Sequence, residues 1–404
     1  MHLNDYQSLK KKEILLVFLL VLFSVTVRVP VVIILGDANL ENEWLQLVSN
    51  LINNKGLSMS TVEGLLLPNL WMPPLYAYYI YLFSFFSLEE QNFILLILSS
   101  QIILASISVG IFYKINQIFF SKKISIFSSL LFSLFPINLY ACSQISSATL
   151  YIFLATLFYY YFFKITKNNN FSSIFIFAIT TGLLILTRGE FVGILFLSIA
   201  YLYYFFKIPI KKILLIILIT LITISPYLTR NYLIFDKIII QASFGYNLWK
   251  GNNPNAKVEG SAFMENDLLI KREKIPKDKY YRIAEDKILA NEAIKNIKND
   301  PTKYLVLFFK KAASLMFIDM ESSNTNYYNP INYIPLLILG VTSLVGIFLG
   351  DKKSYRLNYL ILIFFFYIIT FSVFFILPRY KLFIIPLQII FTNNLITYVQ
   401  KRFS

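Results

Sequence analysis

Asp37, Glu41 and Glu43 crowd into ten residues, Gly36-Asp37-Ala38-Asn39-Leu40-Glu41-Asn42-Glu43-Trp44-Leu45, of a chain otherwise short of acid. The segment directly follows the first apolar run, and carboxylates at a membrane–water boundary are costly unless solvated or used. The chemistry open to them is proton abstraction. His2, the one histidine, sits beside the N-terminus, so histidine-based general base catalysis and His-rich metal sites are excluded. Acid–base work falls to Asp, Glu, Lys or Tyr. Asp37 and Glu41 stand one helical turn apart and can share a site, with Glu43 the third candidate. Asp37 also reads as the N-cap of a following helix, where its charge would favour the dipole; capping and proton transfer are compatible.

A second set is cationic. Arg28 lies inside the first apolar run, Arg188 in Leu186-Thr187-Arg188-Gly189-Glu190, Arg230 in Ser225-Pro226-Tyr227-Leu228-Thr229-Arg230-Asn231, and Arg379 and Lys381 flank Tyr380 after Pro378. An ion pair, such as Arg188 with Glu190, or snorkelling towards headgroups accounts for any one of them. As a set they point to the phosphate of a lipid, because guanidinium forks bind phosphate bidentately and keep the charge paired at low dielectric. Two turn-rich stretches, 67–76 and 245–254, add Tyr76, Tyr246, Asn247 and Asn252 beside Trp71 and Trp249. Such side chains stack on sugars and hydrogen-bond to them, and serve equally as interfacial anchors and turn residues.

The elements that must hold these residues are membrane helices. Of the 404 residues 57% are hydrophobic and only 15% charged, and apolar runs of spanning length recur throughout, so the fold class expected is an all-α polytopic membrane protein. The runs cover 14–35, 93–113, 124–140, 147–163, 171–187, 190–206, 211–229, 331–349, 355–377 and 380–399. Lys10, Lys11 and Lys12 precede the first, which is too long for a signal peptide and lacks a small-residue cleavage site; it reads as an anchor with the N-terminus in the cytoplasm.

Two further runs are ambiguous: 73–88 is short and opens with Pro-Pro, and 304–318 is interrupted by Lys310 and Lys311. If both lie along the membrane, the basic loops at Lys114 to Lys123, Lys164 to Lys167, Lys207 to Lys212, Lys352 to Arg356 and Lys401 to Arg402 all fall on one side, as the positive-inside rule asks. About ten crossings result, with both termini inside. These loops and the headgroups of membrane lipids account for the net charge of +15, and nucleic acid is not a partner. Cys142 is alone, so no disulfide framework exists.

Three regions follow: 1–235, an N-terminal transmembrane module whose first outer loop is 36–92; 236–330, an outer loop region; and 331–404, the C-terminal transmembrane helices. Within the loops, Trp44, Leu47, Val48, Leu51 and Ile52 form the apolar stripe of a helix lying along the membrane and ending at Lys55-Gly56. A second helix is expected over 278–299.

Taken in order, the acidic loop continuing through Trp44 to Leu51, Pro73-Pro74-Leu75-Tyr76, Leu186-Thr187-Arg188, Pro226 through Arg230-Asn231-Tyr232, Gly245 through Trp249 with Gly251-Asn252-Asn253-Pro254, Asp300-Pro301 with Tyr304, and Arg379-Tyr380 with Pro386 resemble the GT-C superfamily of lipid-sugar-dependent glycosyltransferases. That group includes protein O-mannosyltransferases and aminoarabinose transferases, and the resemblance spans most of the chain. It implies a GT-C-like bundle, a polyprenyl-phosphate-linked sugar donor and inversion in one displacement. It also makes a first-loop acid the base on the acceptor, a role open to Asp37, Glu41 or Glu43, and assigns Arg188, Arg230, Arg379, Tyr380 and Lys381 to the lipid phosphate. Tyr76, Tyr246, Asn247 and Asn252 become substrate-binding candidates. Where family members often carry Asp three positions before the equivalent of Glu43-Trp44, this chain has Leu40, and Asp37 fits with a short insertion. Some relatives bind a divalent metal near this acid; no dense carboxylate cluster is visible here, so metal dependence stays open and no other cofactor is expected.

The expected function is sugar transfer from the polyprenyl-phosphate donor to a lipid, glycan or protein acceptor, in the bacterial inner membrane with the active site facing the periplasm. The alternatives are a flippase or transporter of a lipid-linked saccharide, and a surface-polysaccharide polymerase or ligase. A transporter would carry its charges along a midplane pathway, whereas here they gather at one face.

Overall fold

The computed structural model describes residues 3–60, 64–87, 89–322, 329–350 and 354–403, with the side chains of 3–10 and 42 excepted. His2, Lys352, Lys353 and the side chain of Lys10 lie outside the described residues.

The first half of the chain runs as α1 (Leu3–Leu35), α2 (Asn42–Ile52), a short antiparallel hairpin of β1 (Ser58–Ser60) and β2 (Leu66–Pro68), α3 (Pro74–Phe83), α4 (Glu90–Asn116), α5 (Lys122–Leu134), α6 (Pro136–Ala141), α7 (Ser147–Lys167), α8 (Phe171–Thr187), α9 (Phe191–Tyr204) and α10 (Ile210–Phe235). The remainder runs as α11 (Phe244–Gly251), α12 (Asn266–Glu273), α13 (Tyr281–Asn299), α14 (Pro301–Met316), α15 (Pro330–Leu349), α16 (Tyr355–Val373), a 3-10 helix (Pro378–Phe383) and α17 (Ile385–Phe403). The chain is an all-α polytopic membrane protein. Among the described residues six helices are long and apolar enough to cross a bilayer: Lys11–Leu35, Glu90–Asn116, Ser147–Lys167, Ile210–Phe235, Pro330–Leu349 and Tyr355–Val373.

The other apolar runs are helical too, but each departs from a simple span. The run 124–140 breaks at Phe135, held in an extended conformation by the proline that follows it, so α5 and α6 are separate helices. Helices α8 and α9 have 17 and 14 residues. Helix α17 carries Gln388, Asn393 and Asn394 inward, where Asn393 donates to Asn116 Oδ1 and Ser128 Oγ (3.1 and 2.6 Å). Interhelical amide bonds of this kind specify packing where no hydrophobic force acts between helices. Helix α3, with ten residues, is too short to cross.

The membrane core is cemented by aromatic rings. Phe162 of α7 stacks on Tyr359 of α16 with centroids 3.8 Å apart, and Phe158 packs on Phe177 of α8 and Phe191 of α9. The region α11 to α13 has a small core of its own, built from Leu248, Trp249, Leu268, Leu289 and Ala293. Its helix over 281–299 matches the expected one, whereas 244–251, expected as turns, is helical. The reason is at Gly245: a Cβ there would lie 1.8 Å from the Asp286 carbonyl oxygen, so the bare glycine lets α11 press directly onto α13. Asp286 Oδ1 then accepts the Tyr246 N–H (3.0 Å) at the start of α11.

Candidate active site

Asp37 stands just beyond α1, whose last turn closes with Gly36 N–H on the Val32 carbonyl (2.9 Å). It caps no helix. Helix α2 starts five residues later, with Glu41 in the cap position but making no side-chain cap bond. Instead Asp37 is clamped by the turn between α6 and α7: its N–H donates to Ser143 O (3.0 Å), and Ile145 N–H donates to Asp37 Oδ2 (2.6 Å). That turn hangs on Gln101, fully buried in the middle of α4. Gln101 Nε2 donates to the carbonyls of Cys142 and Gln144 (3.2 and 3.0 Å), and its Oε1 accepts the Tyr76 hydroxyl (2.8 Å). Tyr76 meets Trp44 of α2 edge-on at 4.8 Å. A continuous set of contacts therefore ties α2, α3 and α4 to one carboxylate.

Burial pushes the Asp37 carboxyl above the ordinary carboxylate range; the Ile145 N–H opposes this and the Glu41 charge adds to it. A half-buried carboxylate with a raised pKa and one lone-pair face committed to an N–H is suited to accept a proton. Glu41 is exposed, while Glu43 is half-buried on α2 and within electrostatic reach of Tyr246 and Lys250 on α11.

Arg188 ends α8 and lies within an aromatic cage. Its guanidinium carbon is 4.5 Å from the ring centre of Phe383, 5.1 Å from Tyr380, 5.5 Å from Phe371 and 5.9 Å from Tyr151. Its Nε donates to Glu190 Oε1, the ion pair that the local sequence suggested. Tyr151 joins this cage to Asp37: it lies four residues, about 6 Å of helix rise, past the start of α7, and Ile145 precedes that start by two residues. The 3-10 helix completes the wall by packing against α6 and α7, with Arg379 exposed and Tyr380 stacked on Phe371 (4.9 Å). A small apolar cavity between α4, α7, α16, the 3-10 helix and α17 shares Tyr151 and Phe383 with the cage.

The other candidates are placed elsewhere. Arg230 donates to the carbonyls of Asn69 and Leu57 (3.0 and 2.7 Å) and to Asn231 Oδ1 (2.7 Å), fastening the β hairpin to α10. Lys381 is buried, with Nζ donating to the carbonyls of Ser314, Leu315 and Phe317 at the end of α14. Arg28, expected near a membrane face, is buried inside the bundle and bonded to Ser24 and Ser133. Asn252 is a strut, with Nδ2 donating to Leu248 O and Val373 O (both 2.8 Å). Tyr246 packs on Trp71 at 4.5 Å, and Asn247 beside it is half-buried. Gln101 and Lys250 went unnoticed in the sequence, although an amide in mid-span is itself a signal.

Among the described residues no three potential metal-ligating side chains come together.

The chain folds as a helical membrane bundle, and comparison with solved structures gives that fold a name: it is the GT-C fold. The oligosaccharyltransferase of Archaeoglobus fulgidus, solved with a tethered acceptor peptide containing the NVT sequon, is similar over 96% of this chain and 50% of its own, with a TM-score of 0.57 at 11% identity. The same archaeal enzyme, AglB, solved with an inhibitory peptide and a dolichol-phosphate, is similar over 96% and 50% with a TM-score of 0.56 at 11% identity. The chain thus spans about half the length of these proteins, and the likeness is one of fold. No protein-family profile matches the sequence, and no curated protein does.

Proposed function

We propose that this chain is an integral membrane glycosyltransferase that moves a sugar from a polyprenyl-phosphate-linked donor to an acceptor on the extracytoplasmic face, with inversion in a single displacement. The observation that carries the reading is the placement of Asp37 and the Arg188 cage at the two ends of the short link between Ile145 and Tyr151. The acceptor hydroxyl or amine attacks the anomeric carbon while its proton passes to Asp37. The bond from that carbon to the phosphate oxygen breaks, and the phosphate leaves with the electron pair. Arg188, Arg379 and Tyr380 stabilise the charge that develops on it. The acceptor is a lipid, glycan or protein.

The test is transfer by purified protein in proteoliposomes loaded with polyprenyl-phosphate sugars. Asp37→Asn is expected to lower turnover roughly 10²- to 10⁴-fold, the contribution of a general base. Full transfer by the triple variant Asp37→Asn, Glu41→Gln, Glu43→Gln would overturn the assigned chemistry. Cysteines placed at 41 and 379 should label from outside intact cells; labelling only from the cytoplasm would refute the orientation.

A further inference from the structure

Lys250 closes α11, and the structure invests heavily in fixing where that helix ends. Lys311 Nζ bridges the carbonyls of Gly251 and Phe374 (2.7 and 2.6 Å). Asn252 bridges Leu248 and Val373, and Ile376 N–H donates to Val258 O (2.9 Å). Gly251 admits the Phe374 carbonyl so closely that a Cβ there would lie 1.7 Å from it. Together these contacts bolt α11 to the segment that enters the 3-10 helix, and so bolt Lys250 to the element that carries Arg379.

The result is an aromatic wall carrying cations. Lys250 Nζ sits 4.6 Å from the ring centre of Phe375; Phe375 packs on Tyr380 at 6.0 Å; the ring centre of Tyr380 is 5.1 Å from the Arg188 guanidinium carbon. Arg379 projects from the same turn and is exposed. Arg188 is neutralised by Glu190, and Arg272 and Arg282 share Glu285. Among the described residues Lys250 and Arg379 make no ion pair. The charged groups that face Lys250 are Arg379 on the 3-10 helix, Glu43 on α2 and Glu259 in the loop after α11, and Glu259 is itself engaged by Ser322 Oγ. Holding two like charges on a rigid, half-buried wall is unfavourable in the empty protein and becomes favourable when an anion lies between them.

We infer that Lys250 and Arg379 form a phosphoryl-binding subsite that continues the site at Arg188, with Lys250 a binding residue for the phosphate of the donor. The inference deepens the glycosyltransferase reading and rests on it. Lys250 takes the role that the resemblance implied for Arg230 and Lys381, whose donors are spent on backbone carbonyls. A primary ammonium suits the task because it meets phosphate oxygens as a compact point charge without needing the planar fork of arginine.

The test measures binding of two probes, polyprenyl monophosphate and inorganic phosphate, to the full chain in nanodiscs. Lys250→Met should weaken both roughly tenfold or more, the size of a charge-assisted hydrogen bond, while Lys250→Arg restores most of the affinity. In transfer assays the loss should fall on KM for the donor more than on kcat. Unchanged affinity of Lys250→Met for polyprenyl monophosphate overturns the subsite and leaves the transferase reading intact. Failure of the wild-type chain to bind either probe overturns both. Should Lys250→Met not fold, the wild-type chain gives the answer: burial and Arg379 lower the Lys250 pKa, so affinity should fall on the alkaline side before ordinary lysines deprotonate, and Lys250→Arg should abolish that fall. An alkaline limb that persists in Lys250→Arg refutes the assignment.

Discussion

Replacing Glu190 by Gln separates the two uses that Arg188 can serve. In the free protein Glu190 neutralises a guanidinium whose side chain is 19% exposed, and its own carboxylate side chain is 25% exposed. Breaking a buried pair by removing one partner costs about 3–5 kcal/mol. With a fifth to a quarter of each side chain in contact with solvent, and four rings still facing the cation, a loss of about 2 kcal/mol is the better figure. An incoming phosphate would restore the lost charge pairing without having to compete with the carboxylate. Glu190→Gln should therefore unfold at lower temperature than wild type, recover most of the difference when polyprenyl phosphate is added, and bind that lipid roughly tenfold more tightly. The assay is thermal unfolding in nanodiscs across a lipid titration, with Arg188→Met and the double variant completing a cycle. If Glu190→Gln binds the lipid no more tightly than wild type, Glu190 does not compete with phosphate and Arg188 is a purely structural cation.

Three further outcomes follow from named contacts. Because burial raises the Asp37 pKa, the folded chain holds this proton to higher pH than the unfolded chain; stability attributable to it falls as pH rises from the ordinary carboxylate range through the raised value, and transfer falls as pH drops through the same window. Asp37→Asn should accordingly lose activity without losing thermal stability at neutral pH, as rate and unfolding measurements across pH will show. Gln101→Leu leaves the Tyr76 hydroxyl and the Cys142 and Gln144 carbonyls without their partner; at about 1–3 kcal/mol for each unsatisfied group, unfolding should shift clearly and kcat should fall with donor affinity retained. Gly251→Ala places a Cβ 1.7 Å from a backbone oxygen that also receives Lys311, so a monodisperse peak in size-exclusion chromatography at wild-type yield would contradict the close contact between α11 and residue 374.

The helices were legible because apolar runs of spanning length have few other uses, and the acid at Asp37 stood out because carboxylates are scarce at such boundaries. Its local role was not legible. Capping statistics favour Asp before a helix, but the groups that hold Asp37 are the backbone atoms of Ser143 and Ile145, more than a hundred residues away. No local pattern encodes them. The helix over 244–251 was hidden for a similar reason: Gly, Asn and Pro around it signal turns, and only the close approach of α13 to Gly245 and of the Phe374 carbonyl to Gly251 makes these glycines useful inside a helix.

The cations separate into two groups by what surrounds them in three dimensions. Arg230, Lys311 and Lys381 meet carbonyl oxygens at the ends or edges of other elements, so their charge is consumed in joining segments. Lys250, and Arg188 beyond the Nε that Glu190 engages, meet aromatic faces and among the described residues donate to no backbone carbonyl; the rings attract a cation without supplying directed acceptors for its N–H groups, whereas Arg230, although near Tyr227 and Phe235, spends its donors on carbonyls. Carbonyl-bound cations can be expected to tolerate no ligand, since an anion would have to displace a hydrogen bond that holds the fold. Ring-bound cations keep donors to offer. By that criterion the proposed phosphoryl site lies along Lys250, Phe375, Tyr380 and Arg188, facing Glu43 of α2, while Lys381 holds the 3-10 helix of this wall to the end of α14 and Arg230 fastens the β hairpin to α10.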